Sequence, residues 1–172
     1  MKQLILGGAR SGKSQLAQNL AMASGLPVVY VATAAAGDDE MAQRIAMHRQ
    51  QRPSGWQVIE EALELESELL RLSGQGFCVL VDCLTLWLSN NLEQPDVHDR
   101  ITRLVTTVKT YEGILIMVSN EVGQGIVPMG ELSRAFVDHA GRLHQQLATT
   151  CDRVVVTMAG LPLVLKGRHI EY

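Results

Sequence analysis

Aromatic side chains are scarce in this chain. They make up 4% of its 172 residues, so the core must be aliphatic, and ring stacking can be only a small part of any ligand site. Neither sign of charge dominates: 15 Lys and Arg against 18 Asp and Glu leave a formal net charge of −3. Without a broad basic field the chain is not expected to hold nucleic acid. Cysteine is limited to Cys78, Cys83 and Cys151, which have no metal-type spacing. An odd count with no signal peptide fits a reducing cytoplasm, and Cys78, inside an apolar run, reads as a buried and inert thiol. No apolar run is long enough to cross a bilayer, so the chain is not expected to be a membrane protein itself. What is abundant is aliphatic bulk. A hydrophobic share of 47% supports one well-packed domain over 1–172.

Apolar runs at 3–6, 28–32, 56–59, 78–81, 115–119 and 154–158 are mostly unbroken Val/Ile/Leu stretches rather than alternations, the pattern of strands buried on both faces. Helical patterns lie between them near 13–24, 38–52, 61–72, 84–91, 97–111 and 131–149. This alternation predicts an α/β fold, a mostly parallel sheet with helices on both faces. Residues 93–96 read as a surface loop, and Leu163 to Leu165 as a short final strand at the sheet edge.

Ligands of such a fold gather at the carboxyl ends of the strands. The first strand runs into Gly7-Gly8-Ala9-Arg10-Ser11-Gly12-Lys13-Ser14. Its spacing is G-x-x-x-x-G-K-[ST], between a strand and a helix as that motif requires. Glycines let backbone amides curl around a phosphate, and the helix adds its positive end. Lys13 reaches the outer phosphates and Ser14 offers a hydroxyl to Mg²⁺, so a nucleoside triphosphate is the expected ligand. The same rule places Thr33-Ala34-Ala35, Glu60, Asp82 and Ser119-Asn120-Glu121 at the site edge. Asp82 ends an apolar strand and reads either as a Mg²⁺ ligand beside Ser14 or as the N-cap of the next helix.

His48 lies on the helical segment that opens with Asp38-Asp39-Glu40 and is stopped by Pro53. Arg44, His48 and Arg52 share one face. A histidine in that setting is placed to meet a phosphate, and nearby positive charge keeps its imidazole neutral and nucleophilic; an exposed surface histidine is the other reading. His98 reads as part of a polar loop, His139 and His144 as solvated or packed on a long amphipathic helix, and His169 as tail. Asn120 to Pro128 reads as a site loop or lid, or as an ordinary connection.

Taken together, GGARSGKS at 7–14, YVAT at 30–33, DDEM at 38–41, the RI..H...RP..W pattern from Arg44 to Trp56, VDCLTLWLSN at 81–90 and SNEVGQGIVP at 119–128 resemble one family. It is the bifunctional adenosylcobinamide kinase / adenosylcobinamide-phosphate guanylyltransferase family of cobalamin biosynthesis. The resemblance implies a RecA-like P-loop NTPase fold and a homotrimer with sites near subunit borders. It implies phosphorylation of the aminopropanol hydroxyl of adenosylcobinamide by ATP or GTP. His48 then attacks the α-phosphate of GTP, and adenosylcobinamide phosphate takes the GMP, giving adenosylcobinamide-GDP. It also implies nucleotide contacts at 7–14, Thr33, Ala34, Ala35, Arg49, Gln50, Gln51, Arg52, Glu60 and Asp82. Because His48 is not part of the phosphate loop, its helix has to move toward the triphosphate. The chain departs from the family pattern at Val137, where arginine is common, and at His144-Gln145, where Asn-Gln is common. Two rivals stand beside this reading: a kinase without the nucleotidyl step, and a nucleotide-hydrolysing switch module.

Overall fold

The computed structural model describes residues 1–34, 53 and 55–169. The unbroken aliphatic runs become strands β1 (Lys2–Gly7), β2 (Val28–Ala32), β3 (Gln57–Glu60), β4 (Cys78–Asp82), β5 (Ile114–Asn120), β6 (Arg153–Met158) and β7 (Leu161–Lys166). They form one seven-stranded sheet in the order β3-β2-β4-β5-β1-β6-β7. Every pairing is parallel except β6 with β7, an antiparallel hairpin.

The described helices are α1 (Lys13–Ala23), α2 (Leu65–Leu72), α3 (Leu84–Asn91), α4 (Val97–Thr110) and α5 (Glu131–Thr150). Alternate residues of each strand point to opposite sides of the sheet, which divides the core in two. On one side Leu4, Leu6, Val29, Val31, Val79, Val81, Leu115 and Met117 pack against apolar residues of α2, α3, α4 and α5, with Trp87 fully buried. On the other side Ile5, Tyr30, Ala32, Leu80, Ile116 and Val118 receive Ala17 and Ala21 of α1. Small side chains let α1 lie close to the strands and bring the end of the glycine loop down onto the sheet.

Most boundaries match the sequence to within a residue or two, with four differences. The helix expected from residue 61 starts at Leu65, after a turn in which the Glu61 carboxylate accepts the Leu63 and Glu64 amides. Among the described residues the strand at 57–60 is an edge strand paired only with β2, and it is largely exposed, not buried on both faces. The final strand runs the whole length of 161–166, because β6 offers it a full antiparallel partner. His98 lies in the first turn of α4 rather than in a loop. The helical pattern at 38–52 falls outside the described residues. Among the described residues no helix is long and apolar enough to cross a membrane.

Candidate functional site

Strand β1 is central, between β5 and β6, and ends at Gly7. The loop that follows needs glycine where it turns. A side chain on Gly7 would put its Cβ 2.4 Å from both Ser11 Oγ and Thr157 Oγ1. Gly12 has φ 95°, and a Cβ there would come within 3.0 Å of Gly160 Cα. Arg10 also sits in the left-handed region, at φ 55°, which is rare for a residue with a side chain; its side chain is exposed at the loop surface, as are Gly8 and Ala9. Ser11 is buried and points inward, its hydroxyl 2.7 Å from Thr157 Oγ1 on β6. Its carbonyl accepts the Gly160 amide at 3.0 Å, so the β6–β7 turn buttresses the loop.

Lys13 and Ser14 open α1, whose first turn has no side-chain cap. The Lys13 ammonium folds back to donate to the Gly8 carbonyl at 3.0 Å. Burial pushes its pKa below the ordinary 10.5, and the neighbouring Asp82 carboxylate opposes that shift. Asp82 is the last residue of β4. Strand β5 sets its level relative to the loop: Asp82 is opposite Val118, and Gly7 is opposite Asn120, two residues further on. The helix-cap reading of Asp82 is not realised, since the N-cap of α3 is Cys83. The Asp82 carboxylate instead accepts a hydrogen bond from the Tyr30 hydroxyl at 2.9 Å.

Thr33 is completely buried at the end of β2. Its hydroxyl donates to the Cys83 carbonyl at 2.7 Å and accepts from the Cys83 amide at 2.9 Å. Its amide donates to the Asp82 carbonyl, and its carbonyl accepts from Asn90 Nδ2 at 2.9 Å. The Thr33 side chain therefore fixes the backbone beside Asp82, and Asn90 ties that corner to α3. The Cys83 thiol is pushed up to about 11 by burial, with the Asp82 charge adding to the shift, so it is inert at neutral pH. Cys78 is also buried and raised, as expected from its apolar run.

The end of β5 carries a second network. The Ser119 hydroxyl lies 2.7 Å from His144 Nε2 and 3.1 Å from Thr85 Oγ1. Thr85 accepts the Asn120 amide at 2.6 Å. The Glu121 amide donates to the Gly7 carbonyl at 3.0 Å, its Oε1 accepts from the Gly123 amide at 2.7 Å, and its Oε2 is 3.8 Å from His144 Nδ1. Burial pushes the pKa of His144 below 6.5, with Glu121 acting in the opposite sense. His144 is thus packed and bonded inside the fold rather than solvated.

Gly7 to Ser14, Thr33 and Asp82 therefore come together at the carboxyl ends of the parallel strands. Glu60 ends β3, exposed, with its partner Ala32 on β2, and Ala34 follows Thr33. His48, Ala35, Arg49, Gln50, Gln51 and Arg52 fall outside the described residues. Sequence reasoning passed over Tyr30 and Asn90; Asn90 lies within VDCLTLWLSN, so a polar pair closing an otherwise apolar helix was the signal to follow. Among the described residues no group of three or more His, Cys, Asp or Glu gathers as a metal site. A hydroxyl at Ser14 and a carboxylate at Asp82 are hard oxygen donors. They fit Mg²⁺, which takes one or two protein ligands and completes its shell with phosphate oxygens and water.

Residues 3–165 match the family described as "Cobinamide kinase / cobinamide phosphate guanyltransferase". The chain is similar to the bifunctional adenosylcobalamin biosynthesis protein CobP of Pseudomonas aeruginosa, with 54% identity over 99% of this chain and 100% of that protein. It is 36% identical to CobU of Escherichia coli, over 96% of this chain and 100% of that protein. Among solved structures, the RadB recombinase superposes with a TM-score of 0.54 at 16% identity, over 96% of this chain and 80% of that one. A KaiC-like protein of Pyrococcus horikoshii does so with a TM-score of 0.51 at 14% identity, over 97% and 79%. These two likenesses concern the fold, which is that of the P-loop NTPases. The matches with the family and with both relatives run through nearly the whole chain, and the chain belongs to the cobinamide kinase / cobinamide phosphate guanyltransferase family.

Proposed function

We propose that the chain is a bifunctional transferase of cobalamin biosynthesis, acting as one domain over 1–172. It phosphorylates adenosylcobinamide with ATP or GTP and then transfers GMP from GTP to adenosylcobinamide phosphate, giving adenosylcobinamide-GDP. The observation that carries this reading is a phosphate loop and Asp82 at the ends of β1 and β4, the two strands that flank β5, in a chain of this family.

In the kinase step the substrate hydroxyl oxygen attacks the γ-phosphorus, the bond to the leaving nucleoside diphosphate breaks, and the hydroxyl proton is released. Such a transfer asks for positioning and charge neutralisation rather than a covalent relay. The loop amides and Lys13 supply both. Ser14 and Asp82 are the residues that would hold Mg²⁺, which lends positive charge to the phosphate oxygens. In the second activity a neutral imidazole nitrogen of His48 attacks the α-phosphorus and pyrophosphate leaves. A phosphate oxygen of adenosylcobinamide phosphate then attacks the same phosphorus and the P–N bond breaks. Ala34, Ala35, Arg49, Gln50, Gln51, Arg52 and Glu60 belong to the proposed nucleotide environment. Assembly as a homotrimer, with no nucleic-acid partner, is part of the same reading.

The test uses GTP labelled at the α-phosphate. Incubated with Mg²⁺ and then denatured, the chain should retain label in a bond that is labile to acid and stable to alkali. His48→Ala should abolish labelling while adenosylcobinamide is still phosphorylated. An unlabelled wild-type chain that phosphorylates adenosylcobinamide would be a kinase alone; hydrolysis without any transfer would make it a switch module.

A further inference from the structure

The loop after β5 holds the most exposed apolar side chains among the described residues. Ile126 is 98% exposed, Met129 96% and Val127 70%, and Leu132 at the start of α5 is 53% exposed. These are not side chains on an untethered loop. At one end the Glu121 amide bonds the Gly7 carbonyl and the Glu121 carboxylate holds the Gly123 amide. At the other, the Arg134 guanidinium donates to the carbonyls of Pro128 and Met129. A backbone tied down at both ends while its aliphatic side chains face water is the signature of a surface that receives a partner.

We propose that Ile126, Val127 and Met129 form the platform on which the corrin macrocycle of adenosylcobinamide rests. The inference builds on the function proposed above and assigns that substrate its place. The loop springs from the carboxyl end of β5, the strand beside β1, as the phosphate loop does from β1. Ile126 is five residue steps beyond Glu121, a reach of at most about 18 Å. The reacting hydroxyl sits at the end of an arm, so the macrocycle must lie beside the phosphate cradle rather than in it. A corrin is puckered and studded with methyl groups, and its axial ligands prevent flat stacking. Branched aliphatic side chains and an adaptable methionine suit such a face better than rings do, and the chain has few rings to offer. Gln124, exposed in the same loop, presents an amide to the amide arms of the macrocycle.

Equilibrium dialysis with adenosylcobinamide tests this without depending on turnover. The double variant Ile126→Ser, Met129→Ser should raise the Kd for adenosylcobinamide at least tenfold, with the Kd for GTP and the retention of α-label unchanged. The double variant Ile126→Leu, Met129→Leu should bind the corrinoid as wild type does. A corrinoid Kd within twofold of wild type in the serine variant would overturn the proposal. A fall in its sedimentation mass would overturn it as well, by making this face a contact between copies of the chain. Corrinoid binding that depends on the platform in a wild-type chain that takes no label would leave the platform standing and remove the guanylyl-transfer step.

Discussion

Tyr30 and Asp82 are joined across adjacent parallel strands, hydroxyl to carboxylate Oδ2 at 2.9 Å. The bond comes from just below the site: Tyr30 is opposite Leu80, two residues before Asp82 on the same face of the sheet, and at 2% exposed it belongs to the core beneath α1. A core residue thus sets the orientation of the carboxylate proposed to hold Mg²⁺. Tyr30→Phe should cost about 1 kcal/mol of stability. It should also raise the Mg²⁺ concentration for half-maximal activity several-fold in both half-reactions. Magnesium titrations of the two activities check this, and titrations identical to wild type would show that the tyrosine does not govern the carboxylate.

Gly7→Ala should damage the phosphate loop, because the new methyl meets Ser11 Oγ, Thr157 Oγ1 and the Thr157 carbonyl oxygen, the last at 2.8 Å and part of the backbone. Overpacking of this kind costs about 1–3 kcal/mol, and the Kd for GTP should rise at least tenfold. Gly8→Ala, where nothing lies within 4 Å, is the matched control and should leave stability nearly unchanged. Thermal unfolding and GTP binding of the pair decide the point.

Lys13→Met should lose both half-reactions and yet unfold at a higher temperature. Burial disfavours the charged ammonium in the folded chain, so between the depressed folded pKa and 10.5 the unfolded chain binds more protons. At neutral pH the fold carries the full penalty of that buried charge, and removing the charge removes the penalty. A lower Tm in the variant would contradict this, with packing of the lysine stem outweighing desolvation.

His144→Gln should flatten the acid limb of the stability curve. The folded chain holds this imidazole neutral, with its pKa below 6.5. As pH falls below 6.5 the unfolded chain takes up the proton first, and stability is lost. Tm measured from pH 7.5 to pH 5 should drop less steeply in the variant than in wild type.

The parts of this architecture that follow local rules were legible in the sequence. Val28–Ala32 and residues 78–81 announce themselves as unbroken apolar runs, and the glycine loop carries its own spacing. The pairings that arrange the site did not announce themselves, because they join residues far apart in the chain. Thr33 with Cys83, Tyr30 with Asp82 and Ser119 with His144 depend on strand order, which hydrophobic periodicity does not encode. His144 was nonetheless open to a closer reading. Ala140, Leu143, His144 and Leu147 share the helix stripe that is buried in the structure, so a histidine in that row belonged inside with a partner. The edge position of Gln57–Glu60 was hidden for the same reason as the pairings: a strand does not reveal how many neighbours it has.

The buttress beneath the phosphate loop also bears on biogenesis. Ser11 is held by Thr157 and Gly160, groups that leave the ribosome about a hundred and fifty residues later. At synthesis rates of about 5–20 residues per second, that is a delay of several seconds or more. During that interval the nascent chain carries a complete nucleotide motif without its support, and competence to bind GTP should arise only after β6 and its turn have emerged.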